Sequence, residues 1–170
     1  MKGAVTSVES KKYLVLKVML QISVKNFKEL TIQELYTVLQ LRSEVFVVEQ
    51  NCIYQDIDGK DQKALHVLGY KKQVLVAYTR IFAPGAYFNE ASIGRVVVKA
   101  SERQYGYGKD IMKASIQAIA DHYDSSTIHL SAQTYLKKFY NELGFLETGE
   151  EYLEDGIPHV GMVLESKKTE

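Results

Sequence analysis

Residues 96–109 read Val96-Val97-Val98-Lys99-Ala100-Ser101-Glu102-Arg103-Gln104-Tyr105-Gly106-Tyr107-Gly108-Lys109. The valine run has the character of a buried strand, and the two glycines open an amphipathic stretch with helical spacing. Strand, short loop, glycine, helix is the arrangement of an anion site. Amide N–H groups and the positive helix end attract a phosphate, and glycine lets the main chain approach it. Arg103 and Lys109 bracket the loop and add positive charge. Two familiar phosphate loops fail at named positions. A dinucleotide fingerprint needs a third glycine where Ile111 stands. A P-loop needs glycine in place of Arg103 and Ser or Thr in place of Asp110. Two glycines alone fit an unliganded, glycine-capped turn equally well.

Outward from this loop the chain alternates between the two periods. Upstream lie three extended runs, Ala64–Tyr70, Val74–Phe82 and Ser92–Lys99, with turn residues Lys71-Lys72-Gln73 and Pro84-Gly85 between them. They predict an antiparallel meander. Before them, Thr31 and Glu34 have capping-box spacing, and Ile32, Leu35, Leu39, Arg42 and Phe46 recur at helical intervals. That helix is expected to end near Glu49-Gln50, and a strand is expected within Tyr13–Val24. Downstream, Ile111, Met112, Ser115, Ile116, Ile119 and Tyr123 form the stripe of a second helix. A buried strand, Thr127–Ala132, follows. A short helix over Tyr135–Leu143 is stopped by Gly144. Phe145–Thr148 and His159–Leu164 are the last strands, joined across Glu154-Asp155-Gly156-Ile157-Pro158. This order predicts an α/β domain with a mixed sheet.

Composition narrows the function. The chain has 170 residues, enough for one domain with its own core. Its 21 Lys+Arg balance 21 Asp+Glu, which argues against a broadly basic nucleic-acid binder. The best apolar stretch near the start, Tyr13–Ile22, is broken by Lys17 and Gln21, so neither a membrane span nor a signal peptide is expected. A single cysteine, Cys52, makes no internal disulfide, and a reducing, cytoplasmic setting is the expectation. Asp56-Ile57-Asp58-Gly59 begins like a calcium loop, but Asp61 and Val67 stand where glycine and glutamate are required. Histidines 66, 122, 129 and 159 lack metal-ligand spacing, so no metal is expected.

The motif (Gln/Arg)-x-x-Gly-x-(Gly/Ala) after a strand, carried by Arg103, Gly106 and Gly108, resembles the pyrophosphate-binding motif of the GCN5-related N-acetyltransferase (GNAT) superfamily. Leu130-Ser131-Ala132-Gln133 followed by Phe139-Tyr140-Asn141-Glu142-Leu143-Gly144-Phe145 is similar to its second cofactor motif. Arg42 to Gln50, Gln55 to Gly59 and Glu154 to His159 resemble the ElaA-like subgroup. The likeness spans residues 19–165, leaving a loosely ordered extension over 1–18 and a tail over 166–170. Arg42-x-x-Val45-Phe46 also resembles acyl-homoserine-lactone synthases, which share the fold.

This resemblance implies a mostly antiparallel central sheet with flanking helices and one parallel strand pair splayed at a bulge. It implies acetyl-CoA as co-substrate and an amine of a small molecule or peptide as acceptor. Homodimers are common in the superfamily. Main-chain groups of Val96 and Val98 would hold the pantetheine arm, and an N–H near Val96 or Val97 would face the developing oxyanion. The loop Arg103, Gln104, Tyr105, Gly106, Tyr107, Gly108 and Lys109 would hold the diphosphate, with Asn141 beside the cofactor. Tyr140 matches the general-acid tyrosine. Glu49 and His159 are the candidate bases. Arg42, Glu49 and His66 are the candidate acceptor-side residues. Direct transfer, another acyl transfer and a non-catalytic CoA-binding module are the readings left in play.

Overall fold

The computed structural model describes residues 18–165. Apart from Val18, the expected extension and the tail lie outside the described residues. Strand β1 (Gln21–Asn26) leads through a 3-10 turn to helix α1 (Ile32–Arg42). The capping box forms as its spacing predicts. Thr31 Oγ1 accepts the Glu34 N–H at 3.1 Å, and the Glu34 carboxylate accepts the Thr31 N–H at 2.8 Å. Burial opposes the Glu34 charge, but Lys25 and Thr31 outweigh it and pull the carboxyl down to about 2. Past Arg42 the helix widens into a π-helix over Ser43–Glu49, with Gln50 N–H bonded to Val45 O at 3.1 Å. Such i→i+5 turns are rare and often lie at functional sites.

The described residues form a seven-stranded sheet. After β1 come β2 (Leu65–Lys71), β3 (Val74–Phe82) and β4 (Ala91–Val98), the expected antiparallel meander. Helix α2 (Tyr107–Tyr123), β5 (Thr127–Gln133), the short α3 (Lys137–Asn141), β6 (Leu146–Glu154) and β7 (Ile157–Glu165) follow. The spatial order is β1-β2-β3-β4-β5-β7-β6, and among the described residues only β4 and β5 run parallel. One face packs Val67, Ala77, Ile81 and Ile93 with Ile111, Met112 and Ile119 of α2. The other packs Leu68, Tyr78 and Val97 with Val38, Leu41 and Val45.

The final hairpin is longer than its sequence pattern predicts. β6 runs on through Glu150 and Glu151 to Glu154, and a two-residue turn with positive φ at Asp155 (51°) and Gly156 (79°) returns the chain. Nearly all of β6 is exposed at the sheet edge, so its residues carry no inward–outward alternation to read.

Arg42 departs from expectation. It is fully buried, with every guanidinium nitrogen bonded to the loop that follows α1. Its Nε donates to Asp56 at 2.9 Å, Nη1 to Asp61 at 2.9 Å and Nη2 to the Asp56 carbonyl at 2.8 Å. Arg80 joins Asp58 and Asp61, and Arg95 Nε donates to Asp56 at 2.7 Å. Three guanidinium groups and three carboxylates thus tie the end of α1, the loop over 55–63, β3 and β4 together. The aspartates that begin like a calcium loop are the acids of this network. His66 is also structural rather than substrate-facing. It is buried, its Nε2–H donates to the Asp61 carbonyl at 3.0 Å, and Nδ1 accepts from the Tyr78 hydroxyl at 2.8 Å. Burial lowers its pKa and keeps it neutral.

Removing one member leaves buried charges uncompensated, so Arg42→Ala is expected to cost about 3–5 kcal/mol in denaturant unfolding at neutral pH. Burial opposes the Asp58 charge, but Arg80 overrides it and holds that carboxyl well below the usual range. Its contribution is therefore complete above the ordinary aspartate pKa and is lost as pH falls through the depressed native value. Asp58→Asn is expected to melt lower at neutral pH, yet to lose less Tm on acidification than the native chain.

Candidate active site

β4 and β5 pair only at Ala91–Ile128 and Ser92–His129 and then diverge. The cause lies in β4. Tyr78 sits opposite Val97 but Arg80 sits opposite Gly94, so Arg95 and Val96 together face Thr79. This is a β-bulge, and Arg95 takes φ 52°, a conformation that L-residues rarely adopt. Its guanidinium is bonded to Asp56, which holds the strained residue in place.

The divergence opens a cavity of about 570 Å³. Val96, Val97 and Val98 form one wall, with the loop residues Arg103, Gly106, Gly108 and Lys109 at one end. Gly106 takes φ 73°, and Gly108 lies where a Cβ would meet the Phe139 ring at 3.4 Å. Helix α1 is closed by its own Thr31–Glu34 cap, whereas the N-cap of α2 is Gly106, which has no side chain to cap with. Amides of the first turn of α2, Gly108 among them, are thus placed for an anion. Arg103 Nε donates to the Val98 carbonyl at 3.1 Å, and its two terminal nitrogens hold Glu49 at 2.6 and 2.8 Å. Lys109 pairs with Glu142 at 2.6 Å, which lowers the Glu142 carboxyl. Two cations, one already gripping a carboxylate in bidentate fashion, and glycine amides form a donor set that fits a diphosphate.

Four residues expected at the cofactor do not line this cavity. Gln104 is exposed on the 3-10 turn, and Tyr105 lies under Lys71 Nζ at 4.3 Å. Tyr107 is fully buried in the core with its hydroxyl donating to Val18 O at 2.7 Å. Asn141 spends its amide on Phe145 O at 3.0 Å and Glu147 at 3.1 Å, closing the turn after α3. Tyr105, Tyr107 and Asn141 are each taken by a local or core partner that linear spacing does not reveal.

Tyr140, Glu49 and His159 all line the cavity. Tyr140 is buried, and burial raises its phenol pKa, so it stays protonated at neutral pH. His159 Nδ1 donates to the Ile157 carbonyl at 2.8 Å, which fixes the tautomer and leaves Nε2 as the acceptor nitrogen. Its ring lies on Tyr152 at 6.2 Å, and the Tyr152 hydroxyl bonds to Ser131. Gln50 and Gln133 exchange hydrogen bonds at 3.3 Å, joining the end of the π-helix to β5. Arg80, Arg95, Tyr54 and Ser92 also line the cavity, and linear spacing does not single them out. The paired aspartates at 56 and 58 were the signal that cations would be drawn there.

A parallel strand pair splayed at a bulge, with an anion loop at one end and a protonated phenol in the wall, defines a coenzyme-A-dependent acyltransferase fold. A family model described as an acetyltransferase (GNAT) domain matches residues 26–166. The chain belongs to this GNAT family and, within it, to the ElaA-like subgroup. ElaA of Escherichia coli K12 is 44% identical over 139 residues, which cover 81% of this chain and 91% of ElaA. The crystal structure of Escherichia coli ElaA aligns with TM-score 0.80 at 41% identity, covering 86% of this chain and all of that one. An acyl-CoA N-acyltransferase from Pseudomonas aeruginosa aligns with TM-score 0.79 at 41% identity, covering 85% of this chain and 99% of its own. A CoA-dependent acyl-homoserine lactone synthase shares the fold, with TM-score 0.72 at 15% identity over 88% of this chain and 84% of its own.

Valine at position 106 would be forced out of the left-handed conformation and displace the loop amides, away from the packed core. Gly106→Val is expected to weaken CoA binding at least tenfold by calorimetry while the circular-dichroism spectrum is retained.

Proposed function

We propose that the protein transfers acetyl from acetyl-CoA directly to a primary amine of a small molecule or peptide. The observation that carries this reading is that the anion loop, Tyr140 and His159 all face one cavity opened by the β4 bulge. Acetyl-CoA supplies the activated acyl carbon and a thiolate leaving group. The chain's own residues supply the rest. Arg103, Lys109 and the loop amides bind and orient the donor along β4. A main-chain N–H at Val96, on the side of β4 that faces the splay, donates to the oxygen that gains charge, a contribution of about 3 kcal/mol in comparable sites. His159 Nε2 takes the proton released when the amine nitrogen bonds to the acyl carbon. The Tyr140 phenol gives its proton to the sulfur as the carbon–sulfur bond breaks. His159 is preferred over Glu49 as base because its Nδ1–H rests on the Ile157 carbonyl, which leaves Nε2 as the acceptor nitrogen.

A longer acyl donor is the second reading. It is favoured by Phe82, Tyr87 and Phe88, which line the closed end where Phe82 pairs with Ser92. Thiol release from acetyl-CoA and from longer acyl-CoA donors, measured across a panel of amines, separates the two. Chain-length preference for acetyl supports the first reading, and a failure to release thiol from any donor overturns both.

Tyr140→Phe is expected to lower kcat by about 10²–10⁴ with acetyl-CoA affinity unchanged. His159→Gln is expected to lower kcat over a similar range, with partial recovery on adding imidazole to the assay. Unchanged kcat in either variant removes that residue from the mechanism.

A further inference from the structure

Arg103 has every guanidinium nitrogen engaged: Nε on the Val98 carbonyl, and both terminal nitrogens on Glu49. Lys109, the other cation of the loop, is engaged by Glu142. The two cations of the anion loop are therefore matched by two carboxylates contributed from outside it. Glu49 comes from the last residue of the π-helix and Glu142 from the turn after α3. Glu49 lines the cavity, whereas Glu142 is not among its lining residues.

From this geometry we infer that Glu49 is an internal competitor of the cofactor diphosphate, occupying Arg103 until the diphosphate displaces it and returning to speed release of the spent coenzyme. The inference rests on the acyltransferase reading of the cleft. A carboxylate and a phosphate place the same demand on a guanidinium, two oxygens on two parallel N–H donors. They cannot share it, because like charges at that spacing repel. The exchange costs little. Glu49 and Arg103 side chains are 40% and 45% exposed, and an exposed ion pair is weak and salt-sensitive. Glu49 also ends a helix held by i→i+5 bonds, with Gln50 and Gln133 anchoring the next residue. The carboxylate can therefore swing while the helix end stays fixed. A donor bound too tightly would leave as product too slowly, and a tethered carboxylate shifts that balance without touching the reacting atoms.

The sign of one substitution tests this. Calorimetry compares Glu49→Gln with the native chain for acetyl-CoA, free CoA and S-acetylpantetheine, which lacks the diphosphate. Glu49→Gln is expected to tighten acetyl-CoA and CoA about three- to tenfold, and to slow CoA dissociation in stopped flow. The difference should shrink at high salt, and S-acetylpantetheine should show none. Unchanged or weaker CoA binding in Glu49→Gln, with normal binding by the native chain, overturns the inference and makes Glu49 a static support of the loop. An equal gain for S-acetylpantetheine also overturns it, since the effect would then be steric. A native chain that gives no heat with CoA overturns the acyltransferase reading itself.

Discussion

Everything at the site depends on one extra residue in β4. Because Arg95 and Val96 together oppose Thr79, the strand bends away from β5 after two paired positions. A non-glycine residue at positive φ costs about 1–2 kcal/mol, so the bulge needs an external hold. Asp56 supplies it by bonding Arg95, and Asp56 is itself fixed by the buried Arg42 at the end of α1. The chain of cause therefore runs from a helix terminus, through a loop aspartate, to a strained strand residue, and from there to the cleft. The network is structural in its contacts and functional in its effect.

The same economy governs the charges. The folded chain does not leave the cations of its anion loop bare, since Glu49 and Glu142 each hold one. A loop left bare would bind many anions; one matched by weak, exposed carboxylates yields only to a ligand with more charge or better geometry. By contrast, the Arg42–Asp56–Asp61 cluster is buried. Ion pairs of the same chemistry thus serve opposite purposes here, and burial is what separates them.

Much of this was legible along the chain. The Thr31–Glu34 cap, the meander and the Arg103-x-x-Gly106-x-Gly108 loop are local patterns, and local physics suffices to form them. The misreadings concern partners. Arg42 among apolar helix positions invited a substrate role, yet its acids lie 14 and 19 residues further on, in a loop whose place is set by the fold. His66 and Asn141 likewise find their partners only through the sheet and the α3 turn. The exposed edge strand β6 offered no alternation, so its length was invisible.

The amino-acid order alone determined most of the elements and the glycine loop, because caps, glycines and hydrophobic periods act over a few residues. Only the tertiary structure decided which polar side chains face the cleft and which are consumed as struts. Gln50 meets Gln133 across 83 positions, and Glu49 meets Arg103 across 54. Such pairings follow from how sheet and helices pack, and a hydrogen bond or an ion pair is satisfied by whichever partner that packing brings within reach.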